Sequence, residues 1–173
     1  MPVKLFKSFE TERLLLRPTG IQDEAFIFRL LNMPKWIQFI GDRQVDSVEK
    51  AKSYIQERML PQLERLGFGN YTVIRKSDSK KLGSCGLYDR EGLEGIDIGF
   101  AFLPAYEGKG YAYEAASRLM RAAREDFGLN GLCAITNKDN IASQRLLQRL
   151  GLQEEGLIRL EKDSEDVLLF LLK

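Results

Sequence analysis

At 173 residues, with 44% hydrophobic and 29% charged residues, the chain has the makeup of one ordinary globular domain, 1–173, with a real core. A formal charge of +1, from 26 basic and 25 acidic residues, argues against nucleic acid or an anionic membrane as the main partner. With no histidine there is no Ser-His-Asp arrangement, no imidazole metal ligand and no imidazole base, so proton transfer falls to Asp, Glu, Tyr, Lys, Cys, a hydroxyl or water.

Phe9 to Arg17 (FETERLLLR) reads as a first strand stopped by Pro18. Ile21 to Asn32 has helical spacing, with Ile21, Ala25, Phe28 and Leu31 on one stripe, and Met33-Pro34 ends it. Lys35 to Asp42, carrying Trp36, Phe39 and Ile40, reads as a loop or short helical turn. Asp46 and Glu49 have the spacing of a capping box for a second helix. Val48, Ala51, Ile55 and Met59 form its apolar face, and Pro61 is expected to end or kink it. Phe68 to Arg75, Leu82 to Arg90 and Glu94 to Leu103 read as a three-strand meander, with polar and glycine-bearing turns between them.

The next helix has the clearest periodicity in the chain, through Ala112, Ala115, Ala116, Leu119, Met120, Ala123 and Phe127, with Gly128 as its stop. Leu132 to Thr136 reads as a buried strand, and Asn140 to Leu150 as a helix closed by Gly151. Leu152 to Arg159 and Asp166 to Leu172 are the last strands, on either side of a charged loop at 160–165. The order describes a mixed α/β domain, antiparallel before the glycine turn at 108–110 and with a strand–helix–strand crossover after it. No apolar run approaches the ~20 residues a membrane span needs, and charges interrupt every N-terminal window that would make a signal-peptide core. Cys85 and Cys133 stand far apart in strand-like contexts, which argues against a disulfide framework or a metal site. A reduced, cytoplasmic protein is expected.

The stretch from Ile96 to Phe127 carries the chemistry: an apolar strand, a turn containing Gly108-Lys109-Gly110, then the long helix. That order offers bare backbone N–H groups at a helix N-terminus, a natural seat for phosphate. A dinucleotide fingerprint would want a third glycine where Tyr113 stands, and a triphosphate loop would want Gly-Lys-Ser/Thr where Gly108-Lys109-Gly110 stands. Neither pattern fits.

Strand, Glu107-Gly108-Lys109-Gly110-Tyr111-Ala112, then helix resembles the acetyl-CoA pyrophosphate loop of the GNAT N-acetyltransferase superfamily. Three segments further resemble its RimJ/RimL-like ribosomal-protein branch: Glu10 to Arg17 (ETERLLLR), Ile98-Gly99-Phe100 through Glu114-Ala115, and Asn140-Ile141-Ala142-Ser143 leading to Leu150-Gly151-Leu152. Glu107 departs from the pattern, standing where Gln, Arg or an aromatic residue is usual. Leu147 also stands where many members carry a tyrosine acid, whereas Ser143 matches the branch.

The resemblance implies a single-domain GNAT fold, a mixed and mostly antiparallel sheet with a splayed central strand pair and about four helices. It implies an acetyl-CoA-dependent N-acetyltransferase, working as monomer or homodimer, in which a primary amine attacks the thioester directly. The acceptor it suggests is a protein N-terminal α-amine, or a small amine, amino acid or antibiotic; a non-catalytic acyl-CoA sensor or scaffold is the rival reading. On this resemblance, Gly108, Lys109, Gly110, Tyr111 and Ala112 hold the pyrophosphate, while Phe100, Ala101 and Phe102 offer backbone groups to the pantetheine arm and the thioester oxygen. Asn140 contacts the cofactor, unless it is simply a helix N-cap. Asn137 edges the same pocket, and Ser143 protonates or orients the leaving thiolate. Asp97 stands where the branch commonly has Glu and is either a catalytic base or the buried partner of an arginine. Glu114 matches the branch too, though a helix dipole alone favours Glu in a first turn. Trp36, Phe39 and the 160–165 loop are candidate substrate walls.

Overall fold

The computed structural model describes residues 5–161 and 164–172. Its frame is an eight-stranded sheet in the order β1-β2-β3-β4-β5-β6-β8-β7. The strands are β1 (Phe9–Glu10), β2 (Leu14–Pro18), β3 (Asn70–Arg75), β4 (Lys81–Tyr88), β5 (Asp97–Phe102), β6 (Cys133–Thr136), β7 (Gln153–Ile158) and β8 (Val167–Leu171). Every neighbouring pair is antiparallel except β5 and β6. The helices are α1 (Glu24–Leu31), α2 (Pro34–Phe39), α3 (Val48–Tyr54), α4 (Leu60–Leu66), α5 (Tyr111–Glu125) and α6 (Ile141–Arg149).

Two local readings are corrected and two are narrowed. The stretch from Phe9 to Arg17 is two strands, because Thr11 Oγ1 accepts the Leu14 N–H at 2.9 Å and the chain turns at residues 11–13. The segment after Met33 is the helix α2, begun by Pro34, whose fixed φ suits a first turn. Ser47, not Asp46, caps α3 by accepting the Lys50 N–H at 3.1 Å, while Asp46 pairs with Lys50 Nζ at 2.8 Å. Pro61 does not end the helix. A π-helical turn at Ile55–Met59 absorbs the hydrogen bond that proline cannot make, and α4 continues to Leu66. Because α3 and α4 join through that turn, the helical bodies number five rather than about four among the described residues.

The sheet buries both faces. Against one face lies α5, whose small residues Ala115, Ala116, Ala122 and Ala123 allow close approach to Tyr71, Val73, Cys85, Leu87 and Ile98. The other face carries α1 and α3 in a second core of Phe26, Ile27, Leu30, Ala51, Ile55 and Leu103. Alternation along β5 therefore sends Ile98, Phe100 and Phe102 to the α5 side and Asp97, Gly99 and Ala101 to the other. Among the described residues no helix is long and apolar enough to cross a membrane.

Candidate active site

The sheet forks at its centre. The parallel strands β5 and β6 are in register at Asp97↔Cys133 alone, where the Cys133 N–H bonds the Ile96 carbonyl at 3.0 Å. At the far end of β5 the Leu103 N–H bonds the Leu82 carbonyl on the β4 side at 2.9 Å. Strand alternation then turns the backbone groups of Phe100 and Phe102 toward the widening gap, and those of Ala101 toward β4. Of the three residues expected to offer backbone groups, Phe100 and Phe102 are the two so directed.

The fork opens toward the glycine turn. A 3₁₀ turn at Pro104–Tyr106 leads into Gly108 at φ +73° and Gly110 at φ +83°, both in the left-handed region that glycine enters without strain. Gly110 is the N-cap of α5, so the first N–H groups of that helix, from Tyr111 and Ala112 onward, have no helical carbonyl ahead of them. The Lys109 carbonyl accepts Arg13 Nη1 at 3.1 Å. The Arg13 guanidinium also lies 4.3 Å from the centre of the Tyr111 ring, whose hydroxyl accepts Arg75 Nη1 at 3.3 Å. Two guanidinium groups thus flank the turn, each also paired with a carboxylate, Arg13 with Glu114 at 2.7 Å and Arg75 with Asp78 at 2.6 Å. Beside Gly110 a surface hollow of about 630 Å³ is lined by Arg13, Tyr113, Ser117, Arg118 and Arg121 among others.

Two of these features answer points the sequence left open. Glu107 does not confront the turn as a bare charge, because its carboxylate pairs with Lys35 Nζ of α2 at 2.7 Å. Glu114 is more than a dipole partner for the helix. Its Oε1 accepts Thr11 Oγ1 at 2.6 Å and the Arg13 N–H at 3.0 Å, and its Oε2 takes Arg13 Nε and Nη2, each at 2.7 Å. These bonds outweigh burial and hold its carboxyl below the usual range. The β1–β2 turn is therefore latched to the first turn of α5, which joins two segments of the family resemblance in space.

Asn140 caps α6: its Oδ1 accepts the Ser143 N–H at 3.2 Å. Ser143 is half-buried in the first turn of that helix. Asn137 lies just past β6 and folds the loop with its own side chain, accepting the Asp139 N–H at 2.8 Å. Leu147 is in the core. Cys85 and Cys133 are free and buried, with burial pushing their thiols up to about 12 and about 11, so both are protonated and inert at neutral pH.

Asp97 has an arginine partner. Its side chain is 2% exposed, and both oxygens accept Arg90 Nε at 3.0 Å. Burial raises its carboxyl above the usual range, with Arg90 pulling the other way. Around it runs a polar chain that sequence reasoning missed. Tyr88 Oη donates to Asn70 Oδ1, Asn70 Nδ2 donates to Thr19 Oγ1 at 2.8 Å, and Thr72 Oγ1 donates to Asp23 at 3.1 Å. Since Thr72 has spent its proton on Asp23, the 2.8 Å contact between the two threonines is Thr19 donating to Thr72. Asp23, fully buried, anchors the chain on Arg17 and Lys81, each at 2.7 Å. The members come from three separate stretches of chain, 17–23, 70–72 and 81–88, are of ordinary residue types and give no local signal.

Of the candidate walls, Trp36 and Phe39 are half-buried on α2. Trp36 packs on the second core, and its indole N–H is buried with no partner among the described residues. Residues 162 and 163 of the 160–165 loop lie outside the described residues. Among the described residues no three His, Cys, Asp or Glu side chains gather as a metal cradle.

A family model described as an acetyltransferase (GNAT) domain matches residues 13–153. The chain is 29% identical over 156 residues to the uncharacterized N-acetyltransferase YoaA of Bacillus subtilis, covering 90% of this chain and 88% of that protein. Its fold matches an acetyltransferase from Agrobacterium tumefaciens with a TM-score of 0.81 at 22% identity, covering 99% of this chain and 96% of the other. It also matches RimL, a ribosomal L7/L12 alpha-N-protein acetyltransferase solved with coenzyme A, with a TM-score of 0.80 at 19% identity and coverage of 95% and 97%. The forked sheet, the glycine turn at the head of α5 and the match across most of the chain agree: this protein belongs to the GNAT acetyltransferase family.

Proposed function

We propose that the protein transfers the acetyl group of acetyl-CoA to a primary amine, either a protein N-terminal α-amine or that of a small molecule. The observation that carries this reading is the fork that leaves Phe100 and Phe102 N–H groups unpaired by β6 and opens toward two left-handed glycines at the head of a fifteen-residue helix. The backbone of Gly108 to Ala112 seats the pyrophosphate, with Arg13 and Arg75 beside it. The hollow beside it, lined by Arg13, Arg118 and Arg121 and by Glu10, Glu12 and Glu114, takes the nucleotide end, its arginines facing the phosphates. Asn140 and Asn137 edge the cofactor from the head of α6.

In the reaction the amine nitrogen attacks the thioester carbon and the carbon–sulfur bond breaks. A β5 N–H stabilises the oxygen as charge gathers on it. Asp97, whose proton affinity burial raises, takes the proton lost by the amine through a bridging water. Ser143 passes a proton to the departing thiolate and regains one from water, while Asp97 returns the amine's proton to water, so the products are the amide and the coenzyme A thiol. The test is a screen of amines and peptides with acetyl-CoA, read by mass spectrometry. Acetylation of at least one amine is expected, and acetyl-CoA binding without transfer to any of them would identify a sensor or scaffold instead. Gly110→Trp fills the turn and is expected to abolish acetyl-CoA binding in calorimetry; unchanged affinity would refute the seat assigned to the pyrophosphate.

A further inference from the structure

The face of the sheet away from α5 carries a cation in a fixed position, tied through its Nε to Asp97 and with its remaining donors given no role in the transfer chemistry above. On β4 and β5 the cross-strand pairs Gly86↔Gly99 and Tyr88↔Asp97 share that face. The Tyr88 ring folds across both glycines, since a Cβ on Gly86 would lie 2.4 Å from its Cζ and one on Gly99 would lie 2.9 Å from its Cε2. The ring is anchored at its far end by the hydroxyl bond to Asn70. Arg90 lies over it, 5.0 Å from the ring centre. Tyr54 of α3 is within electrostatic range of both Tyr88 and Arg90.

Arg90 gives only its Nε to Asp97. Its two Nη groups, with four N–H donors, have no hydrogen-bond partner among the described residues. The pair is also asymmetric in exposure: the Arg90 side chain is 35% exposed and that of Asp97 is 2%. The pair's more exposed member is therefore a guanidinium set 5.0 Å over an aromatic ring and tied by Nε to a buried carboxylate, with both Nη groups left over. Such a fork matches a carboxylate in two parallel hydrogen bonds and loses little freedom in making them. It stands at the root of the fork in the sheet, because Asp97 is the residue at which β5 and β6 part.

We propose that the acceptor amine carries a carboxylate, and that Arg90 selects it by binding that group with its Nη donors. This rests on the N-acetyltransferase reading above. The acceptor class is an amino acid, or a polypeptide N-terminus with an acidic first side chain; polyamines and basic termini would meet like charge at this position.

The experiment compares matched acceptors by mass-spectrometric kinetics: free amino acids against their amides, and peptides beginning with Asp against the same peptides beginning with Asn. The carboxylate member of at least one pair is expected to have a kcat/KM at least about tenfold higher. The pair that shows the preference tells the small-molecule source from the protein one. In Arg90→Gln the preference is expected to fall within about twofold while acetyl-CoA affinity in calorimetry is unchanged. Because that variant strips a buried aspartate of its partner, the comparison within the wild-type protein stands as the test if the variant does not fold. Equal rates for both members of every pair, or a preference that survives Arg90→Gln, would overturn the inference and leave the transferase reading intact. Acetyl-CoA binding without transfer to any amine would overturn both.

Discussion

Glu114→Gln tests the latch between the β1–β2 turn and α5, and its effect can be worked from the three hydrogen bonds the carboxylate accepts and its ion-pair contact with Arg13 Nη2. Oε1 faces two donors, Thr11 Oγ1 and the Arg13 N–H, and Oε2 faces two more, Arg13 Nε and Nη2. Glutamine keeps one oxygen and replaces the other with an NH₂, so either orientation of the amide sets a donor against two donors. Two contacts are lost in either orientation and the charge on the remaining oxygen goes with them; contacts to the charged guanidinium are worth roughly 1.5–3 kcal/mol each when shielded. The Arg13 side chain is 41% exposed, which cuts the sum to about 2 kcal/mol. For a chain of this size that is a drop of about 4–8 °C in Tm. The pH dependence has a definite sign. The Glu114 carboxyl is held below its usual value when folded, so its stabilisation is present above the unfolded value and is lost as pH falls through the folded one. Thermal melts of the two proteins should therefore differ fully at neutral pH and converge only as acid carries the pH well below the ordinary glutamate value. Since Arg13 also holds the Lys109 carbonyl, the variant should raise KM for acetyl-CoA more than it lowers kcat. A Tm difference under about 1 °C at neutral pH, or one that persists unchanged in acid, would refute the latch as a stabilising contact.

Asp97→Asn should lower kcat more than it weakens acetyl-CoA binding and should abolish the acid limb of the pH–rate profile; an unaltered profile would count against Asp97 as proton acceptor. Thr72→Val removes the donor to Asp23 and the acceptor for Thr19 at a fully buried position, and should cost about 2 kcal/mol, or about 4–8 °C in a thermal melt. A loss under about 1 °C would mean the polar chain does not stabilise this face. Lys35→Ala uncovers the Glu107 carboxylate beside the phosphate seat and should weaken acetyl-CoA binding about threefold at low salt and less at high salt, with Glu107→Gln in the same chain restoring it. Calorimetry at two ionic strengths decides this, and equal affinities for all forms would show the pair to be irrelevant to the cofactor.

The division between what the sequence made legible and what it hid follows the division of the site itself. The side proposed to hold acetyl-CoA is built from contiguous backbone. Gly108 and Gly110 show themselves because a left-handed turn admits few other residues, and α5 shows itself because Ala115, Ala116, Leu119 and Ala123 recur at the helical period. Local signals fail where another local bond competes, as when Thr11 breaks the apparent strand or a π turn carries the helix past Pro61. The acceptor side has no such signature. Asp97 was readable as a base or as an arginine's partner, and Arg90, only seven residues away, becomes that partner because the turn between β4 and β5 brings the two ends together. Tyr88, Asn70, Thr19, Thr72 and Asp23 are unremarkable until the β2–β4 register sets them in line, and Glu107 finds Lys35 across 72 positions of chain. A cofactor that is held by main-chain N–H groups constrains backbone shape, which sequence encodes nearly residue by residue. An acceptor is recognised by side chains assembled from distant strands and helices, so its chemistry becomes readable only after the sheet is built. For that reason the acceptor proposed here rests on the geometry of one guanidinium and not on the resemblance of the whole chain.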